Sequence, residues 1–223
     1  MLAVKTVTYC SDVSFLDDPQ VYDRAYESMP EYRRKKVDAF KFPKDKKLSM
    51  GVELLLRKAM SDLGEDMGDM SISKDGKPFL VGSKIQFNLS HSGTMAMCSV
   101  SDKEVGCDVE LVEPIDLRIA EKFFFDSEYD TIASLEGDSR YEMFYRFWTL
   151  KESFMKITGL GMRLPLNSFR ITLGDEIKVD QSVDDRQYHF REFFLDDGYR
   201  YACCSLDKDI EDIIPIEGTD MMY

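Results

Sequence analysis

The order of apolar and polar positions along the 223-residue chain switches repeatedly between two periods. Residues 2–9 are rich in β-branched side chains and predict an opening strand. Residues 17–36 are polar and helical in tone, and Pro30 followed by Glu31 reads as the first turn of a helix. Between 46 and 60 the apolar positions Leu48, Val52, Leu55, Leu56 and Ala59 recur at helical spacing and predict a helix with one buried face. Gly64, Gly68, Gly76 and Pro78 then break the chain into turns. Strands are predicted over 85–88 and 94–100, joined by a turn at Ser90-His91-Ser92-Gly93. A hairpin loop at 101–104 leads into a returning strand over 105–112. Helical patterning resumes around Ile119, Phe123 and Ile132, and is strongest over 144–157, where Gly159 and Gly161 close it. Alternation over 188–191 and 200–206 predicts further strands. The pattern is mixed α+β, with no repeat visible by residue identity.

Composition narrows the range of roles. No stretch approaches the roughly 20 apolar residues of a membrane helix, and the polar first residues do not read as a secretion signal, so a cytoplasmic location is expected. Five cysteines, an odd number with no C-x-x-C pair, argue against a disulfide framework or a zinc site and for reduced thiols near strands. A net charge of -13 argues against nucleic-acid binding, which needs a dominant basic surface. An anionic ligand then requires a local basic cluster, and Arg33-Arg34-Lys35-Lys36 is one.

Three short segments carry the candidate chemistry. In Gly106-Cys107-Asp108-Val109-Glu110 the two acids lie two apart on a strand and share one face, while Cys107 and Val109 face the other way. Paired carboxylates repel unless a proton or cation intervenes, and Mg²⁺ favours hard oxygen ligands together with substrate phosphates. Alone, such a pair is more often a solvated strand face. On the helix over 144–157, Phe147, Leu150, Phe154 and Ile157 form an apolar stripe, and Glu152 and Lys156 lie four apart on another face. That spacing fits a surface ion pair, or a third metal carboxylate with a lysine beside it. The segment from Phe87 to Gly93 supplies hydroxyls, an imidazole and backbone N–H groups, a set suited to anions. The second histidine, His189, sits in an alternating strand and is assigned to structure.

Taken in order, these segments resemble the Sfp-type 4'-phosphopantetheinyl transferases. The resemblance spans about 44–169. It rests on Gly76-Lys77-Pro78, on Phe87-Asn88-Leu89-Ser90-His91-Ser92 leading to Gly106-x-Asp108-x-Glu110, and on Trp148-x-x-Lys151-Glu152-Ser153-x-x-Lys156. It implies an α+β fold of two similar sub-domains related by a pseudo-twofold axis, residues 1–104 and 105–223, with the active site in the cleft between them. It implies transfer of the 4'-phosphopantetheine arm of coenzyme A to a serine of an apo acyl or peptidyl carrier protein. Mg²⁺ would be held by Asp108, Glu110 and Glu152. Lys77, Ser90 and His91 would contact the coenzyme's adenosine end, Lys47 one of its phosphates, and Lys151 and Lys156 its diphosphate, with Glu152 and Lys156 as catalytic groups. Lys47 stands where the family often has Arg, which keeps the charge and loses the planar fork. Residues 115–125, with Phe123-Phe124-Phe125, are the expected carrier-docking segment, and a monomer is expected. The alternatives are a non-catalytic coenzyme-binding scaffold and another Mg²⁺-dependent phosphoryl-transfer enzyme. The second is disfavoured by the lack of a phosphate-binding glycine loop.

Overall fold

The computed structural model describes residues 4–222. Strand β1 (Thr6–Asp12) starts later than the expected 2–9, whose first two residues lie outside the described range. Asp18 caps α1 (Pro19–Ser28) by accepting from Gln20 N and Val21 N, and α2 (Glu31–Ala39) follows. Pro43 at the first turn opens the 20-residue α3 (Pro43–Asp62). A small hairpin, β2 (Met70–Ile72) and β3 (Pro78–Leu80), precedes β4 (Gln86–Ser92) and β5 (Met95–Ser101).

The second half runs through the same sequence of elements. Strand β6 (Val105–Leu111) leads to α4 (Arg118–Phe123), α5 (Asp126–Ala133) and the 20-residue α6 (Ser139–Thr158), which ends at Gly159 in the left-handed conformation (φ 70°). A small hairpin, β7 (Arg170–Thr172) and β8 (Lys178–Asp180), precedes β9 (His189–Phe193) and β10 (Tyr199–Ser205). Each half is therefore strand, three helices, small hairpin, large hairpin. The spatial orders also match, β1-β5-β4 and β6-β10-β9, antiparallel throughout. One strand crosses the division. β11 (Ile210–Pro215) pairs in parallel with β1, so the division at 104/105 separates the sequence but not the sheets.

The two sheets face each other, each with its long helix on the outer side. Every residue of β5 is buried because both faces are covered. Ala96, Cys98 and Val100 pack toward the core containing α3, while Met95 and Met97 meet Val105, Cys107, Val109, Tyr201 and Cys203 between the sheets. In β10 the same alternation sends Ala202 and Cys204 into the core containing α6. All five cysteines are buried free thiols. Among the described residues no helix is long and apolar enough to cross a membrane.

The expected hairpin loop at 101–104 is a crossover instead. β5 and β6 are not hydrogen-bonded and belong to different sheets. β6 lies beside β4, whose polar side chains replace a backbone ladder. Asn88 Oδ1 accepts from Cys107 N (2.9 Å), Ser90 Oγ from Val109 N (3.4 Å) and Ser92 Oγ from Leu111 N (3.3 Å). The anion-binding turn expected at Ser90–Gly93 is corrected in the same way. Ser90, His91 and Ser92 continue β4, and the reversal falls at Gly93 (φ 59°) and Thr94.

Candidate active site

Asp108 and Glu110 project from β6 on the face that β6 turns to β4 and α6. Close approach of α6 depends on Gly106. A Cβ there would lie 2.1 Å from the Ser153 carbonyl oxygen and 2.7 Å from Ile157 N, so only glycine lets the helix pass this near. Trp148, Glu152 and Lys156 are spaced along one face of α6 and meet this strand. Leu89, Ser90, His91, Asp108, Glu110, Trp148, Glu152 and Lys156 together line a cavity of about 310 Å³ between the halves. A larger cavity of about 960 Å³ runs along β9 and β8, where cations and acids are mixed and several are already ion-paired.

Ser90 Oγ donates to Asp108 Oδ1 (2.7 Å) and Ser92 Oγ to Glu110 Oε2 (2.6 Å), so β4 orients both acids of β6. Lys156 directs all three of its N–H bonds at the same two strands: Asp108 Oδ1 (2.7 Å), Ser90 Oγ (2.9 Å) and Cys107 O (3.0 Å). Asp108 Oδ2 is buried and has no partner. Glu152 accepts no hydrogen bond among the described residues and is half-buried at the cavity wall.

The electrostatics follow from crowding acids in a partly dry site. Burial, then the neighbouring Asp108, pushes Glu110 up to about 7. The same two causes raise Glu152. Burial opposes the Lys156 charge, yet Asp108 beside it keeps the pKa above the usual lysine value. Loss of water on its inner side, then the Lys156 charge, lowers His91. Among the described residues no three His, Cys, Asp or Glu side chains stand together in an arrangement that could hold a metal ion by themselves. The orphaned Asp108 oxygen and the two acids held above their normal range nonetheless fit a divalent cation, which would supply the missing partner and relieve the repulsion.

Asp108, Glu110, Glu152, Lys156, Ser90 and His91 thus share one cavity. Three expected ligand contacts are placed elsewhere. Lys151 is wholly buried, paired to Glu128 at 2.8 Å, and donates to Leu166 O (2.8 Å) and Phe169 O (2.9 Å). It faces the core outside α6 because it sits one residue before Glu152, about 100° round the helix. Lys77 is largely desolvated and donates to Val105 O (3.1 Å) at the start of β6. Lys47 on α3 pairs with Asp17. Of the basic run, Arg33 is buried against Glu53 and Lys35 pairs with Glu31, while Lys36 lies close enough for its charge to act on His91. Of the three consecutive phenylalanines, Phe124 is buried and both Phe123 and Phe125 are exposed. Ser92 and Gly106 stand in the sequence motifs without a role of their own, and the structure gives each one: Ser92 orients Glu110 and Gly106 admits α6. The two-residue spacing of Ser90 and Ser92 against Asp108 and Glu110 was the available signal.

Residues 104–204 match the 4'-phosphopantetheinyl transferase superfamily, and residues 17–103 match 4'-phosphopantetheinyl transferase, N-terminal. A 4'-phosphopantetheinyl transferase of Bacillus subtilis is 31% identical over 201 residues, covering 87% of this chain and 90% of the relative. The 4'-phosphopantetheinyl transferase gsp of Aneurinibacillus migulanus is 34% identical over 174 residues, covering 76% of this chain and 73% of the relative. The crystal structure of Thermotoga maritima holo-[acyl-carrier-protein] synthase overlays on 47% of this chain and 63% of its own at a TM-score of 0.40 and 23% identity.

Proposed function

The chain belongs to the 4'-phosphopantetheinyl transferase superfamily, and on that basis we propose a Mg²⁺-dependent transfer in which the 4'-phosphopantetheine arm of coenzyme A passes to a carrier-protein serine at the cavity between β4, β6 and α6. The observation that carries this reading is the meeting of Asp108, Glu110 and Glu152 around one cavity with a buried, unpartnered Asp108 oxygen. Those three acids would hold the ion. When bound, it supplies charge stabilisation to the diphosphate oxygens.

The protein groups account for the remaining chemistry. The serine hydroxyl attacks the β-phosphorus, the bond to adenosine 3',5'-bisphosphate breaks, and the serine proton must be taken up. Glu152 is the acid at this cavity without a protein hydrogen bond, and its raised pKa brings it nearer the working pH of a base. Asp108 is already engaged by Ser90 and Lys156, which suits a ligand and not a base. Lys156 keeps α6 against β6 through Asp108 and Cys107 and against β4 through Ser90. Contact with the diphosphate requires it to exchange one of those bonds.

Exposed Phe123 and Phe125 support docking of the carrier through the α4–α5 segment, since a chain of net charge -13 gains little from a general attraction to an acidic partner. Acyl and peptidyl carriers of fatty-acid, polyketide and nonribosomal-peptide systems are the partner class, and the enzyme is read as a cytoplasmic monomer. Incubation with a panel of apo carriers, coenzyme A and Mg²⁺ should raise a carrier's mass by one phosphopantetheine arm, and EDTA should prevent it. No mass shift on any carrier would refute the activity, and full turnover in EDTA would refute the metal requirement.

A further inference from the structure

Asp108 is held by Ser90 and Lys156, whereas Glu110 takes its hydrogen bond from Ser92, the last residue of β4. The pose of Glu110 therefore depends on where β4 ends. Directly after Ser92 the chain reverses through Gly93 and Thr94 into β5, where Met95 is the partner of Ser92. This reversal belongs to the N-terminal half but is held by the C-terminal one. Tyr199 opens β10, and its hydroxyl oxygen accepts from Thr94 N (3.0 Å) and lies 3.4 Å from Thr94 Oγ. Thr94 Oγ donates onward to Asp12 Oδ2 (2.8 Å) at the end of β1, which leaves its lone pairs for the Tyr199 O–H. The ring lies against the turn, since a Cβ on Gly93 would sit 2.2 Å from Tyr199 Oη. Tyr199 is buried between the sheets and does not line the catalytic cavity. Its backbone pairs with Leu111, the residue after Glu110, and Leu111 N donates to Ser92 Oγ (3.3 Å). The contacts close a circuit from Glu110 to Ser92, through Gly93 and Thr94 to Tyr199, and back along Leu111.

We propose that Tyr199 is a positioning residue of the metal site, its hydroxyl fixing the Gly93–Thr94 reversal so that Ser92 aims Glu110 at the cation. The cation itself rests on the transferase reading above. Two arguments favour aiming over simple core filling. Filling the space between the sheets needs the ring and not the hydroxyl, and a buried phenol oxygen needs partners, which here belong to one reversal. That reversal is two residues long, so a shift at Thr94 reaches Ser92 across a single residue. Carboxylate ligands lose metal affinity when the groups that orient them are removed.

The test is Mn²⁺ binding, read from the electron paramagnetic resonance signal of the free ion with saturating coenzyme A and no carrier. Wild type is compared with Tyr199→Phe, Ser92→Ala and the double variant. Ser92→Ala should weaken Mn²⁺ about tenfold. Tyr199→Phe should weaken it about fivefold, the size of one neutral hydrogen bond. The double variant should bind no more weakly than Ser92→Ala, because the tyrosine acts through the serine. Affinity for coenzyme A in EDTA should hold throughout. Thr94→Ala removes the other hydroxyl of the network and should shift Mn²⁺ in the same direction, so the test stands even if Tyr199→Phe does not fold. Wild-type Mn²⁺ affinity in Tyr199→Phe and Thr94→Ala would overturn the assignment. So would additive losses in the double variant, or an equal loss of coenzyme A affinity in EDTA. A wild-type protein whose Mn²⁺ binding gains nothing from coenzyme A would overturn the metal-dependent transferase reading, and the assignment with it.

Discussion

Glu152 and Lys151 are neighbours in the chain, yet α6 gives them opposite surroundings. Glu152 faces the cavity, so Glu152→Gln should lower kcat by a factor of about 10²–10⁴, the usual worth of a positioned base, while coenzyme A binding stays measurable. Steady-state kinetics beside calorimetry checks this, and full turnover would remove the base role. Lys151 has all three donors engaged inside the core. Lys151→Met should therefore destabilise the fold by about 3–5 kcal/mol, as expected when one partner of a buried ion pair is left alone. Adding Glu128→Gln, which keeps an acceptor for Ile171 N, should restore most of the stability and the activity with it. If the double variant is stable yet binds the coenzyme weakly, Lys151 touches the ligand after all. Glu110 supplies a pH signature. Burial and Asp108 raise its folded pKa from an ordinary 4.5 to about 7, so between those values the folded state holds more protons than the unfolded one. Its stabilising contribution is complete below pH 4.5 and is lost as pH rises through 7. In metal-free protein the melting temperature of wild type relative to Glu110→Gln should thus fall by about 2–4 °C from pH 5 to 7.5, for a linked term on the order of 1 kcal/mol. Mg²⁺ should reverse the trend. A constant difference across that range would contradict the burial argument.

At the scale of elements the site is a contact between a strand and a helix, made possible by a missing side chain. Gly106→Ala places a methyl against backbone that cannot rotate aside, so α6 must shift. The expected outcome is a loss of about 1–3 kcal/mol in chemical denaturation, as for other overpacked interiors, together with a raised Mg²⁺ requirement as Glu152 moves from Asp108. Wild-type stability would show that the helix stands farther off. The β4–β6 junction has the same logic. Sheets normally join through backbone, whereas here Asn88, Ser90 and Ser92 satisfy the N–H groups of β6, and the two serines also hold its acids. One row of side chains on β4 therefore joins the two halves and aims the carboxylates of β6. The strand assignments over 85–88 and 105–112 anticipated both elements, but the period-2 pattern reports only that a face is polar. It does not report whether the polar face meets water or a neighbouring strand.

For the whole molecule, the repeated order of strand, three helices and two hairpins places the cavity between the halves, where neither half alone would form it. The exposed rings flanking buried Phe124 belong to this scale because docking of a carrier there would engage the rim of the C-terminal half. Phe123→Ala and Phe125→Ala should each raise the carrier KM several-fold with no change in coenzyme A affinity, and an unchanged KM in both would remove the α4–α5 segment from docking. The helices, most strands, the α+β class and the acids that line the cavity were legible in the sequence, because periodicity and residue chemistry are local properties. Residue identity hid the repeat of the two halves, since matching positions need only similar volume and polarity, as Ser99 and Cys203 do on the inner faces of β5 and β10. Tertiary structure alone decided that β11 returns to β1, that Ser90 and Ser92 serve the acids of a neighbouring strand, and that Lys151 faces inward while Glu152 faces the cavity. Those outcomes depend on which surfaces meet, and contacts between residues far apart in the chain leave no trace in the local alternation of apolar and polar positions.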